Sequence, residues 1–223
     1  MKYIFVLLFI FSSCDNPRKT NIMNSGKKIP KENVIQNISI LRKSGFFENF
    51  SKFSDKEIFE QLHSNRIDDY SKIFDKKYDP GMELDEFDLA CIDKRKMIYL
   101  DLESDVCAEN NVYVDVIKMF SNLSNGSFNP QNISEKWQSP SGPITVEFEL
   151  NNEIIKFNPK YSDDWLDSIV FEICKEKIKA NKTRIVECLG ESKYGYGQNI
   201  AFMRITETEQ NNLENNYKYK FRE

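Results

Sequence analysis

Residues Ile144–Leu150 read Ile-Thr-Val-Glu-Phe-Glu-Leu. Such strict alternation of apolar and polar side chains suits a β-strand with one face in a core and the other toward water. Asn151-Asn152 follows, a pair that accepts the left-handed backbone of a tight hairpin, and Glu153–Phe157 supplies a returning strand. Two more strands are expected over 183–189 and 199–205. The chain is therefore committed to an antiparallel sheet, and everything else must cover it.

Helical periods supply the cover. Val34, Ile38 and Leu41 recur at helical spacing after Pro30, with Gly45 as a left-handed stop. Ser54 and Glu57 form a capping box ahead of Ile58, Phe59 and Leu62, and 67–74 reads as a third helix. Asp79-Pro80-Gly81 is a turn signal. Tyr113, Val116, Ile117, Phe120 and Leu123 mark an amphipathic helix ended by Asn125-Gly126. Ser162 is expected to cap a helix carrying Asp163 and Asp164 in its first turn and Leu166, Ile169, Val170, Ile173, Cys174 and Ile178 on one face. Thr206 and Glu209 cap a short final helix. Residues 87–93 and 97–102, joined by Lys94-Arg95, read as a second hairpin, and Trp137 as part of a short polar segment before Pro140. There is no internal repeat. The order predicts an α+β fold, a mainly antiparallel sheet covered by helices, with an N-terminal helical part.

Seventeen Phe and 10 Tyr supply ample core material, so disorder is not expected. The 31 Lys and Arg are interspersed with 35 Asp and Glu, leaving a net charge of −4 and no basic face, which excludes nucleic acid as an expected partner. Phosphate loops, dinucleotide fingerprints, GxSxG elbows and HExxH helices are absent, and no cofactor is expected.

The N-terminus carries an address. Lys2 precedes an eight-residue apolar run at 4–11, then Ser12-Ser13 and Cys14, the three regions of a secretory signal. The run is too short to span a bilayer, which takes about 20 apolar residues. This segment resembles the signal of bacterial lipoproteins. Phe11 stands where that family usually has Leu, as in the looser boxes of the Bacteroidota. The resemblance implies cleavage before Cys14 and a diacylglycerol on its sulfur. It would hold the protein to the inner or outer membrane of a bacterial envelope, on a periplasmic or surface face. The expected organisation is a signal peptide over 1–13, a flexible tether over 14–31 and one globular domain over 32–223.

Four further cysteines remain: Cys91, Cys107, Cys174 and Cys188. An even set in an oxidising compartment invites disulfides, and short loops favour Cys91 with Cys107 and Cys174 with Cys188. The alternative is that they are small buried apolar side chains. No CxxC pair is present for zinc.

His63, the only histidine, falls near a helix end, where a structural role suffices. Asp75, Asp79, Glu83, Asp85, Glu86 and Asp88 form an acidic cluster without the ligand order of a calcium loop, which reads as solvated. Asp163, Asp164 and Asp167 surround Trp165, as carboxylates beside a sugar platform would; capping of a helix N-terminus uses the same residues. Tyr194 and Tyr196 lie on a Gly-hinged loop, and with Trp165 they are the expected partner-contact residues; a plain hairpin turn is the simpler reading of the loop.

The alternating strand pair followed by Asp163-Asp164-Trp165-Leu166-Asp167 resembles small immunity proteins that neutralise bacterial toxins. That resemblance implies a non-enzymatic protein-binding module anchored to the envelope. A glycan hydrolase working through Asp164 or Asp167 and a structural envelope component are the alternatives.

Overall fold

The computed structural model describes residues 29–73 and 84–223. The signal segment, Cys14, nearly all of the tether, the turn at Asp79-Pro80-Gly81, and Asp75 and Glu83 lie outside the described residues.

The fold is α+β. A four-stranded antiparallel sheet has the order β1-β6-β5-β7, from β1 (Met97–Asp101), β5 (Ile185–Gly190), β6 (Asn199–Arg204) and β7 (Lys220–Arg222). A second, three-stranded sheet runs β2-β3-β4, from β2 (Gln131–Trp137), β3 (Ile144–Leu150) and β4 (Glu153–Phe157). The alternating strand and its Asn-Asn hairpin are as expected: Asn151 and Asn152 have φ of 53° and 66°, and Ile144, Val146, Phe148 and Leu150 are buried.

Each strand of the four-stranded sheet sends alternate side chains to opposite faces, and each face has its own core. On one side, Ile98, Leu100, Ile185 and Phe202 meet α4 (Val112–Leu123), α5 (Ile169–Ala180) and the inner face of the second sheet. On the other, Met97, Val186, Cys188, Ala201 and Met203 meet α1 (Lys31–Lys43), α2 (Asp55–Ile73), α3 (Glu86–Ile92) and α6 (Glu207–Tyr217). In the first core, Phe120, Phe171 and Phe202 bring α4, α5 and β6 together with ring centroids 5.2–6.1 Å apart.

In the second core a buried lysine forms an ion pair with a half-buried carboxylate. Lys96 is 2% exposed, and its Nζ donates to Glu209 Oε2 at 3.1 Å. Glu209 also completes the expected capping box, accepting the Thr206 N–H at 2.8 Å while Thr206 Oγ1 accepts the Glu209 N–H. Gly45 (φ +76°) turns the chain beside this pair, and a Cβ there would fall 1.9 Å from Glu209 Oε1. The glycine serves twice, as the left-handed stop after α1 and as room for the carboxylate.

Four local expectations change. Residues 67–73 of the expected third helix are no separate element: they continue α2, started by the Ser54–Glu57 box, and Phe74 lies outside the described residues. Residues 87–93 are not a strand. Asp85 Oδ1 accepts the Asp88 N–H and starts α3, where the adjacent Leu89 and Ala90 are both buried, as only a helix arranges comfortably; β1 pairs instead with β6. Trp137 ends a strand, β2, whose side chains are exposed or half-buried and which bulges after Gln131, so no alternation marks it. Finally, the helix expected from Ser162 begins only at Ile169. Asp163 is left-handed (φ 52°), the Trp165 N–H donates to Ser162 O at 3.1 Å and the Leu166 N–H to Leu102 O at 2.8 Å, so 162–165 is a tight turn set beside the end of β1. The sequence likened to an immunity protein's helix start therefore opens on a turn and not on a helix.

Glu135 of β2 provides what α4 lacks. Asn111 makes no cap bond with its side chain, and the Glu135 carboxylate accepts the Tyr113 N–H at 3.0 Å and Trp137 Nε1 at 2.7 Å. Burial raises its pKa above the usual carboxylate range despite these donors.

Candidate functional site

Three segments converge at one end of the four-stranded sheet, and hydrogen bonds between backbone groups fix them there. Beyond β1, Leu102 N donates to Gln198 O at 2.9 Å, which ties the chain to the loop 191–198. Glu103 pairs with Trp165 as an isolated bridge, and Ser104 N donates to Asp164 O at 2.8 Å. The Gln198 side chain closes the junction by donating to both oxygens of Asp101 at 3.1 and 3.3 Å.

The expected partner-contact residues divide here. Trp165 is 44% exposed and Tyr194 is 82% exposed, the latter with Lys193 Nζ 5.0 Å from its ring centroid. Tyr196 turns inward. Its ring lies 4.9 Å from Phe87 and 5.6 Å from Tyr99, its hydroxyl 3.9 Å from Cys188 Sγ, and burial pushes its pKa well up. Tyr196 thus pins the loop and leaves Tyr194 at the tip. The joined segments that carry the two exposed rings also carry the exposed carboxylates Asp101, Glu103, Asp105, Asp163 and Asp164. An acidic rim with protruding aromatics suits a basic protein surface, since aromatics carry contact area and complementary charge steers approach.

Asp167 does not join this rim. Its Oδ2 accepts the Lys160 N–H at 2.6 Å and its Oδ1 the Ile169 N–H at 3.1 Å, so both oxygens shape the entry to α5. Its own N–H donates to the Tyr113 hydroxyl at 3.1 Å. His63 stacks on Phe59 at 5.4 Å, within α2.

All four described cysteines are free thiols, and the pairings of Cys91 with Cys107 and Cys174 with Cys188 are not made. The second has a topological reason: Cys174 belongs to the core on one face of the sheet and Cys188 to the core on the other. Burial raises Cys91 to about 12 and Cys188 to about 11, the behaviour of packed apolar side chains.

A second feature escaped the sequence. A polar groove of about 510 Å³ lies beside α1, lined by Asn33, Gln36, Asn37, Glu86, Glu191 and Tyr217 among others. Burial raises the pKa of Glu86, and the neighbouring charges of Asp85, Glu191 and Asp88 raise it further. Glu86 was legible only as one member of an acidic run, and the amides of α1 only as a wet helix face. No residue type or spacing announces that they share a groove with Glu191, which is 105 positions further along the chain than Glu86.

Among the described residues, no group of three or more His, Cys, Asp or Glu side chains could hold a metal ion, and no helix is long and apolar enough to cross a membrane. No family model matches the chain, and no curated protein or solved structure matches it.

Proposed function

We propose that this chain is a lipid-anchored protein of the bacterial envelope, held through Cys14, that binds a basic protein partner of toxin type through the acidic, aromatic end of its four-stranded sheet. The convergence of three segments that carry exposed Trp165, exposed Tyr194 and five exposed carboxylates supports this reading. Tyr and Trp bury large area at low entropic cost, and they are enriched among the residues that dominate protein interfaces. The lipoprotein-like signal supports the compartment, where a secreted partner would be met.

The test is capture of the full-length protein from its native membranes, followed by titration of the purified partner. A basic protein recovered at near-equal amounts is expected, with W165A/Y194A weakening its binding by about 30-fold or more, since two interface aromatics together carry at least about 2 kcal/mol. Equal binding by the variant, or no stoichiometric partner, removes the reading.

The groove favours a second reading, a glycan hydrolase. Glu86, whose pKa burial raises, is shifted in the direction a general acid needs, and Glu191 offers a second carboxylate beside polar amides. Asp167 is the weaker candidate, because both of its oxygens already accept backbone N–H groups. In this reading E86Q abolishes release of sugar fragments from envelope glycan without unfolding the protein. Turnover by the unsubstituted chain falls as pH rises through the raised pKa of Glu86, because the proton to be donated is lost there. Failure of the unsubstituted chain to cleave any envelope glycan excludes it.

A further inference from the structure

The last turns of α5 carry Lys175 and Lys179 one turn apart on the same side. The chain then reverses at Asn181-Lys182, where Lys182 takes φ +63°, and Lys182, Thr183 and Arg184 come back alongside the helix. Together with Glu176, Ile185 and Glu223 these residues enclose a pocket of about 390 Å³.

The charges in this pocket do not balance. Of its two carboxylate side chains, Glu176 pairs with Lys177 outside the lining at 3.0 Å, and Glu223 pairs with Arg184 within it. Arg184 also donates to Gln210 Oε1 at 2.6 Å and to Ile205 O at 3.3 Å, so it is held in place with its charge offset by Glu223. Lys175, Lys179 and Lys182 line the same space and make no ion pair with any carboxylate among the described residues. The Lys175 Nζ lies 6.0 Å from the Phe202 ring centroid. Like charges at i and i+4 repel across a helix surface, and a chain of net charge −4 has carboxylates to spare for such a place. None is there.

We propose that this pocket is an anion site that takes a phosphate group. Three unpaired ammonium groups exceed what one carboxylate would neutralise, whereas a phosphate brings up to two charges and several acceptor oxygens to donors arriving from different directions. The Thr183 hydroxyl adds a neutral donor on the lining. The volume leaves room for a substituent on the phosphate. The ligand is therefore either free phosphate or the phosphodiester headgroup of an anionic lipid, and the site is independent of the protein-binding end of the sheet.

The experiment is calorimetric titration of the full chain with inorganic phosphate and, separately, with glycerophosphoglycerol, the diester headgroup of an anionic lipid, at ionic strength held constant with sodium chloride. Saturable one-to-one binding of at least one ligand is expected. K175Q/K179Q should weaken it by about tenfold or more, the loss of two charge-assisted contacts. K118Q/K136Q, which removes two lysines paired elsewhere with Asp115 and Glu147, should leave it unchanged. Binding of phosphate alone identifies the free ion, and binding of the diester identifies a headgroup. Absence of saturable binding of both, or equal binding by K175Q/K179Q, overturns the proposal.

Discussion

Replacing Glu209 by Ala is expected to destabilise the fold by about 3–5 kcal/mol, the range for leaving one member of a buried pair without its partner. Lys96 is 2% exposed, and burial already lowers its pKa against the attraction of Glu209. Without that carboxylate, the ammonium would retain the face of Phe46, 5.7 Å from Nζ to the ring centroid, as its aromatic neighbour. A cation–π contact is worth about 2 kcal/mol when desolvated, too little to hold a stranded charge. The same substitution removes the carboxylate that accepts the Thr206 N–H, so the start of α6 loosens as well. Urea unfolding of E209A measures the loss. The K96M/E209L double variant should recover most of it, because a buried ion pair replaced by well-packed apolar groups is often neutral or stabilising. A cost below about 1 kcal/mol for E209A would mean that water reaches Lys96 and that the pair behaves as a surface one.

Phe120→Ala should cost about 3–5 kcal/mol through the cavity it leaves. Phe120 has no exposed surface and touches both Phe171 of α5 and Phe202 of β6, so no single element can move in to fill the space. Phe120→Leu should cost markedly less, as most of the volume is kept. Equal losses for the two variants would argue for the aromatic geometry itself, and a small loss for Phe120→Ala would mean that α4 collapses onto the sheet. Thermal or urea unfolding of the pair distinguishes these outcomes.

The parts of the fold that could be read from the sequence are those whose signal is local. The strand at Ile144–Leu150, its Asn-Asn turn, and the boxes at Ser54–Glu57 and Thr206–Glu209 each need only a few neighbouring residues to be decided. The misread parts were decided at a distance. Asp163 and Leu166 satisfy helix rules in isolation, yet the Leu102 carbonyl, 64 positions away from Leu166, takes the N–H that a helix would have used. β2 carries little apolar pattern because Glu135, which accepts the Tyr113 N–H at the start of α4, stands between Ile133 and Trp137, the two half-buried side chains that pack on the core. For the candidate site, Trp165 and Tyr194 were visible as residues, but the convergence of their segments at one sheet end depends on the order β1-β6-β5, which no local pattern encodes. Tyr196 illustrates the limit within a single loop. Two tyrosines two residues apart look equivalent in sequence, and the packing of one against Phe87 and Tyr99 is what frees the other.

The placement of Cys174 and Cys188 on opposite faces of one sheet gives each apolar interior its own clock. Neither buried thiol ionises near neutral pH, so an alkylating reagent must wait for the surrounding structure to open. The rate at which each sulfur is labelled then times the opening of its own side, α5 leaving the sheet in one case and the helices over β5 leaving it in the other.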